Sequence, residues 1–93
     1  MSITRINEFH ASSGRAQALF EFLISIKNFI STSAGCEYCE VLQKNDDEST
    51  FVVIERWDSK DSHKKSLESY PQEKMADAMP LLGAPPKGGF YHN

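Results

Sequence analysis

From Ile3 to Phe9 apolar and polar residues interchange with a period near two, and β-branched residues sit near the start. That pattern predicts a first strand. Ser12, Ser13 and Gly14 then supply small polar residues that open helices, and Leu19, Phe20, Leu23, Ile26 and Ile30 recur at helical spacing as far as about Thr32. A long helix is expected there. Phe22, Ile24 and Phe29 lie off its main stripe, so the apolar sector is wider than one sheet contact needs, and a partner or a ligand is expected to cover the rest.

After Ala34-Gly35 a strand is expected over Cys36 to Lys44, then the polar run Asn45 to Ser49, then a strand over Thr50 to Trp57, together a hairpin. Asp58 and Asp61 open a short surface helix from Ser59 to about Glu68, and Ser69-x-x-Gln72 with Pro71 opens another that carries Met75, Ala78 and Met79 and stops at Pro80. Past the loop Gly83-Ala84-Pro85-Pro86, Gly88 to His92 forms a last strand. The order strand, helix, strand, strand, helix, strand is that of a split βαβ unit. The expected fold is therefore an α+β ferredoxin-like sandwich, a four-stranded antiparallel sheet with its helices on one face. In the third strand Phe51, Val53 and Trp57 point one way and Val52 and Ile54 the other. Helices cover one face only, so a homodimer with two sheets packed face to face is expected to bury the other.

Composition narrows the class. The 93 residues, 40% apolar and 25% charged, fit one ordinary globular domain spanning 1–93. So short a chain hides only roughly 60 to 65% of its unfolded surface, which again favours association. The net charge is −3 and the densest basic cluster is Lys64-Lys65, which speaks against nucleic acid as a partner. The longest apolar stretch, Ala18 to Ile30, is interrupted by Glu21, Ser25, Lys27 and Asn28, so no membrane span is expected. MSITRINEFH lacks an apolar signal core, and a cytoplasmic address is expected.

Cys36 and Cys39 form a C-x-x-C spacing inside the strand-like run CEYCEVLQ. Strand residues three apart face opposite sides, and neither a second such pair nor an H-x-x-x-H follows, so structural thiols are expected instead of a redox pair or a zinc site. Phosphate-binding glycine loops, G-x-S-x-G and H-E-x-x-H are absent from the sequence. What remains is a scatter of polar and aromatic residues near strand ends: Asn7, His10, Tyr38, Glu55, Trp57 and His63. Asparagine is depleted in strands, so Asn7 hydrogen-bonds either a ligand or a neighbouring loop and water. Trp57 walls a pocket or packs on the short helix. His63 is a proton carrier near neutrality or, the plainer choice, a solvated side chain. Glu55 is a pocket carboxylate or, again plainer, half of an interfacial ion pair. His10 and His92 are expected to face solvent.

The run Phe51-Val-Val-Ile-Glu-Arg-Trp-Asp-Ser-Lys-Asp-Ser-His, the glycine-led strand Ala34-Gly35-Cys36 and Asn7 resemble the antibiotic biosynthesis monooxygenase family of dimeric α/β barrels, over nearly the whole chain. In relatives that oxidise quinols or anthrones, or degrade heme, an Asn of the first strand and a Trp at this strand end contribute to the pocket; Asn7 and Trp57 match them. The resemblance implies a cofactor-free monooxygenase acting on a small hydroxylated aromatic with dioxygen. The anion of an electron-rich phenol passes an electron to dioxygen itself, so neither metal nor flavin is needed. Asn7 would bond the substrate oxygen, Trp57 would pack on the ring and donate to it, His63 would be the third catalytic candidate, and Phe20, Leu23 and Tyr38 would contact substrate, the first two as an apolar lid. Where many relatives carry a His nine residues beyond the Trp, this chain has Ser66, which leaves the base unassigned. Gln72 to Met79 holds no His that could bind heme iron. Two other readings stay open: a non-catalytic dimeric module for a small ligand, and an isomerase or lyase in which His63 or Glu55 shuttles a proton.

Overall fold

Period-two alternation becomes a sheet once its strands pair. The computed structural model describes residues 2–93. Strand β1 (Ile3–His10) pairs antiparallel with β3 (Asp47–Trp57) along its whole length, from Ile3 opposite Trp57 to His10 opposite Thr50. On its other side β1 takes β4 (Lys87–Tyr91), and β3 takes β2 (Cys36–Lys44). The antiparallel order β2-β3-β1-β4 is that of the ferredoxin-like split βαβ sandwich. Helices α1 (Ala16–Ser31), α2 (Lys60–Ser69) and α3 (Gln72–Ala78) complete the chain, with a 3₁₀ turn at Met79–Leu81 where Pro80 ends the last of them.

The helices lie on the face that carries Phe51, Val53, Glu55 and Trp57. Leu19 and Leu23 of α1 are buried there with Cys39, Phe51 and Val53, the apolar contact that holds helix to sheet. The opposite face presents Ile6, Leu42, Val52 and Ile54, cross-strand neighbours in the pairs Ile6–Ile54 and Leu42–Val52. Among the described residues no helix is long and apolar enough to cross a membrane.

Two local features depart from expectation. The polar run after β2 is not a loop: Lys44 already pairs with Asp47, leaving a two-residue turn at Asn45-Asp46. Asp47 makes this possible by accepting the Ser49 N–H (3.0 Å) and the Thr50 hydroxyl (2.7 Å), which ties polar residues into the start of the strand. The second departure is a register shift between Cys36 and Tyr38, with Glu37 as the extra residue of a bulge. Cys36 lies opposite Trp57 and Cys39 opposite Glu55, so the two thiols share the helix face instead of pointing to opposite sides. Both are free, and burial pushes the Cys39 thiol up to about 12, far from the range in which a thiolate reacts.

The turn into β2 requires glycine. Gly35 has φ +87°, and its carbonyl accepts the Asp58 N–H at 2.9 Å, which holds the start of β2 against the end of β3. Ser59 then caps α2, its hydroxyl accepting the Ser62 N–H at 3.2 Å.

Leu23 is wholly buried at the contact of α1 with the sheet. Leu23→Ala is expected to lower unfolding free energy by about 3 kcal/mol, read from urea denaturation followed by circular dichroism.

Candidate active site

Between the helices and the sheet lies a cavity of about 250 Å³. A void of about 150 Å³ accepts one benzene ring, so this one has room for a small aromatic of one or two rings. Its floor comes from alternate residues of the two central strands: Arg5 and Asn7 from β1, Val53, Glu55 and Trp57 from β3. Its walls are largely apolar, from Phe22, Ile26 and Phe29 of α1 to Met75 and Met79, with His63, Ser66 and Tyr70 as the polar exceptions.

Pairing sets the floor in rows. One row runs Cys39, Glu55, Arg5, Phe90, and the next Val41, Val53, Asn7, Gly88. Gly88 is small for a reason: a Cβ there would meet Asn7 Oδ1 at 2.6 Å and Arg5 Nη2 at 2.7 Å. The bare backbone lets both polar side chains lie across β4.

Glu55 is 6% exposed, and the indole N–H of Trp57 donates to its Oε1 at 2.9 Å. Burial raises the Glu55 carboxyl above its ordinary value; the Trp57 hydrogen bond and the charge of Arg5 work in the opposite sense. His63 stands edge-on to Trp57 (ring centroids 5.6 Å apart) and to Phe90 (5.1 Å). Burial, and then the positive charge of Arg5, holds its imidazole below the ordinary value. Ser66 is buried and shares a hydrogen bond of 2.8 Å with Ser33 at the end of α1.

Of the residues singled out in the sequence, Asn7, Trp57 and His63 come together at the cavity. Phe20, Leu23 and Tyr38 do not line it. Phe20 stacks on Phe51 at 5.9 Å and Leu23 is sealed in the core. The wide sector of α1 divides, with Phe22, Ile26 and Phe29 turned to the cavity and Phe20 and Leu23 to the opposite side of the stripe. Tyr38 is 48% exposed on the other sheet face, where its hydroxyl donates to Glu40. The bulge at Glu37 moves it out of phase with Cys36. His63 is half-buried between two rings, not solvated, and Glu55 forms a hydrogen bond under the helices, not an ion pair across an interface. Trp57 spends its N–H on Glu55 and has none left for a ligand. His10 lies on the open face, with Nε2 3.0 Å from Glu8 and Nδ1 3.1 Å from Thr50, and His92 is exposed.

Arg5 escaped notice in the sequence, where it reads as one more polar residue in an alternating strand. Its signal was its phase: it shares the helix-covered face with Asn7, two residues away. Among the described residues no group of three or more His, Cys, Asp or Glu is gathered in a way that could hold a metal ion.

The family model described as antibiotic biosynthesis monooxygenase matches residues 2–78. The chain belongs to this family. No curated protein matches it. Among solved structures, PA3566 from Pseudomonas aeruginosa is 22% identical with a TM-score of 0.90, over 99% of this chain and 93% of that one. Rv0793 from Mycobacterium tuberculosis is 19% identical with a TM-score of 0.88, over 100% and 95%. SnoaB from Streptomyces nogalater, described as a cofactor-independent oxygenase, is 17% identical with a TM-score of 0.84, over 99% and 92%. These likenesses show a shared fold. The family includes monooxygenases, and in this chain the carboxyl of Glu55 lies on the cavity floor.

A carboxyl whose value is raised in the fold binds its proton more tightly there than in the unfolded chain. Glu55 therefore contributes stability that is fully present below its ordinary value and is lost as pH rises through the raised one. Glu55→Gln keeps an oxygen for the Trp57 N–H and removes the buried charge. The variant is expected to exceed the wild type in urea midpoint at neutral pH, with the advantage shrinking as pH falls through the carboxylate range. A constant difference between the two proteins at every pH would contradict this.

Proposed function

We propose that this protein is a cofactor-independent monooxygenase that oxidises a small hydroxylated aromatic, of quinol or anthrone type, with dioxygen. The observation that carries the proposal is the mainly apolar cavity between helices and sheet, with Asn7 and Trp57 among the residues of its floor, in a member of a family that includes monooxygenases. The description of SnoaB as a cofactor-independent oxygenase supports the same chemistry.

The Asn7 amide would hydrogen-bond the substrate oxygen, and Trp57 would support the ring by packing alone. Apolar walls hold a flat aromatic, and a substrate that fills the cavity displaces its water. The bound anion gives one electron to dioxygen, and the resulting pair joins at the substrate carbon as a peroxide. Loss of water then leaves a carbonyl: one oxygen atom stays on carbon, and the other departs as water with that carbon's hydrogen and the proton taken from the substrate hydroxyl. The substrate is its own reductant, so the balance closes without a further electron donor.

The working unit would be a homodimer in which two sheets meet through Ile6, Leu42, Val52 and Ile54. These side chains form an apolar patch of the kind that marks an association surface.

Oxygen uptake by metal-stripped protein with a panel of anthrones, quinols and dihydroxynaphthalenes should exceed the autoxidation blank. It should fall about a hundredfold or more in Asn7→Ala, the size of effect expected when one hydrogen bond to a developing anion is lost. Binding of panel members with no uptake at all would shift the assignment to a ligand-binding module. For the dimer, Ile54→Lys should convert a dimer to a folded monomer in sedimentation; a wild type that sediments as a monomer would remove that part of the proposal.

A further inference from the structure

The cavity floor holds two opposite charges that do not meet. Arg5 and Glu55 are direct cross-strand partners on the same face of the sheet, a position where Cβ atoms lie about 5 Å apart and long side chains readily pair. Yet among the described residues Arg5 takes part in no ion pair. Its guanidinium instead lies over the Phe90 ring, 4.9 Å from the centroid, in the space that Gly88 leaves open. Glu55 gives Oε1 to Trp57. Its other oxygen receives no hydrogen bond from the described residues, and among those residues no buried side-chain nitrogen or oxygen is left without a partner. That oxygen is therefore open to the cavity that Glu55 lines.

We propose that Glu55 is the catalytic base of this site and that Arg5 holds the oxyanion it creates, the substrate hydroxyl lying between the two. The inference rests on the monooxygenase reading above and supplies the base which that reading lacks. In the step, the free oxygen of Glu55 takes the hydroxyl proton, the O–H bond breaks, and its electron pair stays on the substrate oxygen beside the guanidinium. The negative charge moves from Glu55 to the substrate, and the net charge of the cavity does not change. This matters between apolar walls, where creating or removing a net charge is costly.

The other groups around Glu55 fit this role poorly. His63 from α2 also faces the cavity, but a proton there would set a second positive charge beside Arg5, whereas a proton on Glu55 removes a buried negative one. Cys39 and Cys36 from β2 act on Glu55 only as would-be anions, and burial keeps both protonated. Burial likewise raises Tyr70, beyond the end of α2. The stretches of α1, α3 and the 3₁₀ turn that line the cavity contribute no titratable side chain. Lys60 lies over Phe90, 5.2 Å from its centroid, and adds positive charge on the Arg5 side.

The test uses nitrophenol under anaerobic conditions, because its phenolate has a visible absorption band and no oxidation can follow. Quenching of Trp57 fluorescence reports binding separately. In the wild type the bound probe should show the phenolate band below the pH at which the free probe ionises, at an intensity nearly independent of pH, since the proton passes to Glu55 and not to the buffer. In Glu55→Gln any band should rise with pH as a one-proton titration. In Arg5→Gln the band should disappear while quenching persists. With an oxidisable substrate, Glu55→Gln should lower kcat/KM about a hundredfold or more and abolish the acidic limb of its pH profile.

A wild-type complex that holds neutral nitrophenol, or a band with the same pH course in Glu55→Gln, would overturn the assignment, as would the absence of binding. The two proposals fail separately. Proton transfer to Glu55 without oxygen uptake on any substrate would sink the monooxygenase reading alone, and uptake undiminished in Glu55→Gln would sink the base alone.

Discussion

Everything on the functional side depends on the phase of one strand. With β3 paired on both edges, its alternate residues Phe51, Val53, Glu55 and Trp57 are committed to the helix face, and Val52 and Ile54 to the other. The first set begins as core and ends as site. Phe51 and Val53 lie under Leu19 and Leu23 of α1, while Glu55 and Trp57 lie where the apolar seal gives way to the cavity. A slip of one residue would exchange the two faces completely. The bulk of core burial therefore also fixes the register that delivers a carboxyl to the cavity floor.

The cavity exists because the helix layer has uneven depth. α1 is long and broadly apolar, and one side of its sector fills the space over β2 and β3. α2 is short and mostly charged, and contributes to the interior chiefly through His63 and Ser66. Between them the sheet is left with a gap bounded by aromatic and methionine side chains. Ser66 stands where many relatives, by the resemblance of the Glu-x-Trp segment, carry a histidine. Its hydroxyl is turned to Ser33, an anchor between α2 and the end of α1. Proton chemistry at that position is thus absent in this chain, which directs attention to the remaining ionisable groups of the floor.

Glu55 and Trp57 also illustrate how one hydrogen bond serves two ends. The indole N–H satisfies half of a buried carboxylate, and the carboxylate locks the orientation of the ring. The energetic burden of a charged group under the helices is thereby reduced without being cancelled, since the guanidinium of Arg5 is withheld on Phe90. An ion pair between the two would have stabilised Glu55 and closed the floor to ligands.

The sequence by itself determined the element order, the ferredoxin-like topology, the two-faced third strand and the family. The first three depend on short-range periodicity or on turn and cap residues, which act over a few positions, and the family on the resemblance carried by the Glu-x-Trp segment. It also singled out Asn7, a polar residue within a strand, Trp57, a large ring at a strand end, and His63, in the first turn of a capped helix. What only the tertiary structure decided is which side chains share a space. A single bulged residue, Glu37, carries Tyr38 to the outer face and brings both cysteines to the inner one, and no local pattern announces it. The wide sector of α1 could not show in advance that Phe22 would face the cavity and Phe20 and Leu23 the core. Arg5 became meaningful only when pairing set it beside Glu55 and the absence of a side chain at Gly88 let it turn away. Those facts belong to strand register and to the space between layers, and both exist only once distant parts of the chain have met.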